Sequence, residues 1–136
     1  MNISVSQAQG KVPVTIIKLD GELDGQNYQD LIAKAREAHG GGAHYFLIDM
    51  SGLTYVSSAG LVALHTVALL ARGEALPDTD AGWSAIRSVG RAGSSGIQKN
   101  VKLFNPREEV KSVLDMVGFS GAFEIHTDLD TAVNSF

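Results

Sequence analysis

The 136-residue chain has no cysteine, which excludes disulfides and thiolate metal sites and makes its fold indifferent to redox compartment. Long apolar runs are missing too, since none approaches the roughly 18–20 residues that a bilayer-crossing helix needs. The opening MNISVSQAQGKVP has neither the basic stretch nor the apolar stretch of a secretion signal. A basic excess is also absent: 15 acidic against 11 basic residues give a net charge of −4, which argues against a nucleic-acid partner. The expectation is therefore a cytoplasmic domain with no membrane span.

Several catalytic patterns are missing as well. His39, His44, His65 and His126 show no H-x-x-x-H pairing, so no metal and no cofactor are expected. The glycine-rich residues 90–96 lack the G-K-S/T of a phosphate loop. A nucleophile elbow needs G-x-S-x-G, and Val56 stands where the first glycine would precede Ser58. On a helix, His65 lies about 10 Å along the axis from Ser58, too far for a direct hydrogen bond. No enzymatic activity is expected, and a small hydrolase using Ser58 is the weakest of the functions considered.

What is present is a 44% apolar composition, enough at this length for one core and one domain spanning residues 1–136. Ile3 and Val5 alternate with polar residues, as in an edge strand, and residues 12–19 form a β-branched strand that completes a hairpin. Residues 21–25 (GELDG) are expected to break that strand, with Asp24 as N-cap of a helix whose buried stripe is Tyr28, Leu31, Ile32, Ala35 and Ala38. Gly40, Gly41 and Gly42 stop it.

Residues 45–48 read as a strand covered on both faces, and residues 51–56 as a link to an almost wholly apolar helix over 58–71. A third helix is expected with Asn105 as cap, Pro106 at its first position and Gly118 as its stop. Strands at 101–104 and 122–125 flank it, and Thr127 with Asp130 marks a short last helix. The order β-β-α-β-α-β-α-β-α predicts an α/β domain with a mixed sheet. A long inserted loop at about 73–100 interrupts it; within it Trp83, Ile86 and Val89 with Arg87 and Arg91 suggest a basic, aromatic docking element or a segment with little role.

The segment with most chemistry is Ser57-Ser58 at a helix start. A serine there is ordinarily a cap, its hydroxyl taking up a free backbone N–H. It is also a place where a phosphate is tolerated, because the helix dipole and free amides favour negative charge. The following helix, Leu61 to Ala71, reads either as packed between sheet and neighbour or as a strip for a partner.

The pattern V-x-x-L-x-G-E-L-D ending at Asp24, with isoleucine at its first position, the strand ending in D-x-S-G-L-T at 47–55, and S-S-A-G-L at 57–61 together resemble the STAS domain of anti-sigma factor antagonists. The resemblance covers all but about 73–100. It implies a STAS-like fold and a regulatory module that binds an anti-sigma factor, itself a serine kinase of the histidine-kinase-like ATPase type. It implies further that phosphorylation of Ser58 ends that binding, and that Asp24, Ser57, Ser58, Ala59, Gly60, Leu61, Val62 and His65 contribute to partner contact. Family members often carry D-S-S-G here; Ser57 stands in place of the aspartate and Ala59 in place of the second serine, so Ser57 is a second candidate acceptor. The competing reading is a STAS scaffold subunit of a stress-signalling or lipid-transport complex, without a phospho-switch.

Overall fold

A computed structural model describes residues 1–72 and 98–136. The expected docking element around Trp83 lies outside the described residues. One five-stranded sheet runs β1 (Asn2–Gln9), β2 (Pro13–Leu23), β3 (Phe46–Val56), β4 (Gln98–Phe104), β5 (Phe123–His126), in that spatial order. Only the β1–β2 pair is antiparallel; β3, β4 and β5 each add in parallel. The connections carry α1 (Tyr28–Gly40), α2 (Ser58–Ala71), α3 (Glu108–Met116) and α4 (Phe119–Ala122), with α5 (Leu129–Asn134) closing the chain. The α/β order is as the sequence implies, with the four-residue α4 added.

Alternation along the strands sorts the core into two faces. Ile17, Leu19, Phe46, Ile48, Met50, Val101 and Leu103 meet α1 to α4 on the larger face. Val14, Leu47, Ala132 and Val133 meet on the smaller one, which α5 covers.

Two expected loops are strand. β2 runs on through Leu23, and β3 through Val56, because their ends pair in parallel (Glu22 with Tyr55, Leu23 with Val56). Leu23, Leu53 and Val56 are buried there, each stabilising by about 2 kcal/mol. That exceeds the roughly 0.5–1 kcal/mol that a glycine costs within a strand. Gly21 takes φ +111, beside a register shift between Gly21 and Glu22.

Three expected caps move. Asp24 does not cap α1: its carboxylate accepts from the Gln26 N–H at 2.9 Å, in a turn before the helix, and Asn27 occupies the N-cap position. Asn105 does not cap α3, since it sits at φ +50 with its N–H held by the His126 carbonyl at 2.7 Å, and Arg107 takes the cap position. α5 is capped by Asp128 rather than Thr127, its carboxylate accepting from the Thr131 N–H at 2.9 Å. Gly118 does follow the end of α3, at φ +83.

Lys102 holds α5 on the sheet. Although 4% exposed, its ammonium donates to the Ser135 carbonyl at 2.9 Å and hydroxyl at 3.0 Å, and pairs with Glu124 at 3.0 Å. Removing the buried ammonium breaks both bonds to Ser135 and the pair with Glu124, all part-buried contacts, so Lys102→Ala should lower unfolding stability by about 1–2 kcal/mol in urea titrations. The Lys102 hydrogen bond also holds the Glu124 carboxyl below the ordinary carboxylate range. A carboxyl whose folded pKa is depressed gives stability that is present above its unfolded pKa, near 4.3, and is lost as pH falls through the folded value. Glu124→Gln should therefore flatten the stability slope below about pH 4.3 in acid titrations, by a small amount because solvent screens this half-buried carboxylate.

Candidate functional site

The parallel pairing of the β2 and β3 ends brings the GELD residues beside the start of α2. The Ser57 N–H donates to the Leu23 carbonyl at 2.9 Å, and the Thr54 hydroxyl donates to the Gly21 carbonyl at 3.1 Å. These links join residues more than thirty positions apart. They fix the helix start against Glu22, Leu23 and Asp24.

The two serines take different roles. Ser57 is the N-cap in an extended conformation, its hydroxyl accepting from the Gly60 N–H at 3.3 Å, and its carbonyl accepting from Leu61 at 3.0 Å. Ser58 is the first helical residue and is exposed. No acidic residue occupies the first turn of α2, so the positive end of the dipole is not offset from within the helix. A phosphate on Ser58 would meet that field and would add nearly two negative charges one residue from the Ser57–Leu23 link. Ser57→Ala should cost about 1 kcal/mol through the lost cap, and Ser57→Asp should largely restore it, as read by thermal melts.

Gly60 lies tight against the strand ends. A Cβ there would meet Val56 Cγ2 at 2.7 Å and the Leu23 carbonyl oxygen at 2.9 Å. Glycine lets α2 start directly on the strand ends, and so places Ser58 on their rim.

Of the residues expected at a partner surface, Ser58 is exposed and Asp24, Ser57 and Ala59 are half-buried, all around the helix start. Gly60, Leu61, Val62 and His65 are buried in this structure. The helix stays buried from Gly60 to Ala68. It packs against α1, β3 and β4, which favours the packed reading of its apolar sequence over the exposed strip. Thr54, Tyr55 and Glu22, none of them expected at a partner surface, are exposed at the same strand ends, with Tyr55 half in solvent at 50%. No local signal in the sequence marks them, because the strand-end pairing that sets Glu22 against Tyr55 joins residues far apart in the chain. Farther down β3, the Arg107 guanidinium donates to the Ser51 carbonyl at 3.0 Å.

Among the described residues no group of three or more His, Asp or Glu is placed to hold a metal ion. Among them, too, no helix is long and apolar enough to cross a membrane.

The family described as "Mlab, STAS domain" matches residues 6–77, more than half of the chain and the stretch that builds this rim. The chain belongs to the STAS domain family. No curated protein matches it in sequence. Among solved structures, this STAS domain is similar to the anti-sigma factor antagonist SpoIIAA in its unphosphorylated form, at 18% identity and TM-score 0.63, covering 98% of this chain and 94% of that one. It is similar to an anti-sigma factor antagonist from Mycobacterium paratuberculosis, at 15% identity and TM-score 0.65 over 98% and 93% of the two chains. It is also similar to the Bacillus cell fate determinant SpoIIAA in the phosphorylated form, at 16% identity and TM-score 0.62 over 98% and 97%. At these identities the likeness establishes the STAS fold.

Proposed function

We propose that this STAS domain is an anti-sigma factor antagonist, a cytoplasmic binding module without enzymatic activity. Its unphosphorylated form binds an anti-sigma factor that is also a serine kinase of the histidine-kinase-like ATPase type, and so frees the sigma factor. Phosphorylation of Ser58 ends the association. The observation that carries this reading is the exposed hydroxyl of Ser58 at the first position of α2, next along the chain from Ser57, whose N–H is bound to the Leu23 carbonyl between Glu22 and Asp24. Ser57 is the weaker acceptor, because its oxygen already caps the helix. Partner contact falls on Asp24, Ser57, Ser58 and Ala59 with Thr54 and Tyr55, while Gly60, Leu61, Val62 and His65 support that surface from below. The similar structures, one of them described as phosphorylated, lend support through the fold.

Incubation with ATP and the candidate kinase, followed by mass spectrometry of the fragments, tests partner and site together. One phosphate on Ser58, absent in Ser58→Ala, is the expected result. A phosphate mapped elsewhere, or none with a kinase that does not bind, would sink the assignment.

A second reading is a STAS scaffold subunit of a stress-signalling or lipid-transport complex. The serine at position 57, which caps the helix where family members often carry an aspartate, favours it, since an acidic neighbour for kinase recognition is missing. It predicts stable co-purification with the other subunits that is unaffected by Ser58→Ala.

A further inference from the structure

We propose that two copies of this chain associate through β1, antiparallel about a two-fold axis, joining their sheets into one of ten strands. β1 is the terminal strand of the sheet, and among the described residues nothing pairs with its outer edge. An open edge strand is ordinarily blunted by a charge, a proline, a bulge or shortness. None of these is present. β1 is eight residues long, its sequence NISVSQAQ carries neither charge nor proline, and it pairs with β2 without a register shift from Asn2 to Gln9.

The same features favour a second copy over an unrelated peptide. A two-fold axis perpendicular to the sheet sets each strand against itself. In a chain of net charge −4, an uncharged edge lets two copies meet without like-charge repulsion along the seam. The axis also fixes the register. Opposed residues must share a face, so one residue lies opposite its own copy, and Val5 is the apolar choice near the middle of the strand. Val5 is 44% exposed, although it points to the same face as Ile3, which packs on the core. Opposed to its own copy, with Ser4 facing Ser6 and Ile3 facing Gln7, it gains the cross-strand partner it lacks. Val5 and Gln7 also form one wall of a cleft of about 590 Å³ between the hairpin and α1, with Pro13, Lys34, Ala38 and His44 among its other lining residues. The neighbouring copy would extend the floor of that cleft.

The absence of cysteine makes the register directly testable. Directly opposed residues in an antiparallel pair have Cα atoms about 4.5–5.5 Å apart, within disulfide reach. With Val5 on the axis, the two copies of residue 6 are out of step by two positions and roughly 8 Å apart, beyond that reach. Oxidation should therefore link Val5→Cys into a covalent dimer and leave Ser6→Cys largely monomeric. Analytical ultracentrifugation of the wild type should show mass rising with concentration. Val5→Lys, which places two ammonium groups face to face, should weaken association at least about tenfold with an unchanged circular dichroism spectrum. A wild type that stays monomeric across the concentration series overturns the proposal. So does Ser6→Cys cross-linking as readily as Val5→Cys, or a dimer indifferent to Val5→Lys.

Discussion

A Ser58→Asp variant should bind the proposed anti-sigma kinase at least about 100-fold more weakly than the wild type, equivalent to about 2.7 kcal/mol, while its thermal midpoint hardly moves. The two halves of this expectation have separate causes. Within the free domain, Ser58 is exposed at the first position of α2, and the first turn holds no other acid. A carboxylate there is favoured by the helix dipole by about 0.3–1 kcal/mol, so the fold does not suffer. Within the proposed complex, the same charge falls on the surface that the partner covers. Like charge placed in an interface costs several kcal/mol and is not relieved by side-chain movement once water is excluded.

Ser58→Ala separates these effects. It should bind within about threefold of the wild type, since a hydroxyl at the rim of an interface contributes little, yet it should resist inactivation by ATP and kinase. Calorimetric titration of the three proteins decides the matter. Equal affinity for all three would remove Ser58 from the interface and leave the scaffold reading in place. Part of the Ser58→Asp effect should fade as ionic strength rises, because a partly exposed charge is screened within about 8 Å at physiological salt.

How much of this site the sequence discloses follows from how local each signal is. The helix over 58–71 and its opening serines are legible because cap, apolar run and helix length all lie within one stretch. Their neighbours are not. Glu22 and Tyr55 sit side by side only because β2 and β3 pair in parallel, across an intervening helix, and no spacing rule reports such a pairing. GELDG and SGLTY are rich in turn-forming residues, so local preference reads them as loops. The burial of Leu23, Leu53 and Val56 outweighs that preference. The caps fail for a related reason. Asn105 has the right side chain to cap α3, but its backbone is claimed by β5 through the His126 carbonyl, and the helix starts later. The single-turn α4 has no periodic signal at all, and it forms because Phe119 and Ala122 fill the core beside Phe123.

Gly60 binds stability and site together, and Gly60→Ala should lower unfolding stability by about 2 kcal/mol, or roughly 5–10 °C in thermal midpoint. Ordinary helix energetics predict the opposite sign, since alanine in place of glycine gains up to about 1 kcal/mol. Here the new methyl meets Val56 Cγ2 at 2.7 Å, Leu23 Cγ at 2.9 Å and the Leu23 carbonyl oxygen at 2.9 Å. The two side chains can yield, but the carbonyl cannot move freely, because it accepts the Ser57 N–H at 2.9 Å. Relief requires α2 to lift from the strand ends, which stretches that hydrogen bond at a cost of about 1 kcal/mol, added to about 1–3 kcal/mol of overpacking. The sum exceeds the helix gain.

Combining Gly60→Ala with Val56→Ala isolates the cause. If side-chain crowding dominates, the double variant should recover part of the loss beyond additivity; if the carbonyl contact dominates, the two costs should simply add. The carbonyl account predicts addition. Under the proposed function it predicts also that Gly60→Ala slows phosphorylation of Ser58 at temperatures where the domain remains folded, because lifting the helix start shifts Ser58 from its place at the strand ends. A variant that is fully stable, or one destabilised but phosphorylated at the wild-type rate, would break the link between the glycine contact and the placement of the serine.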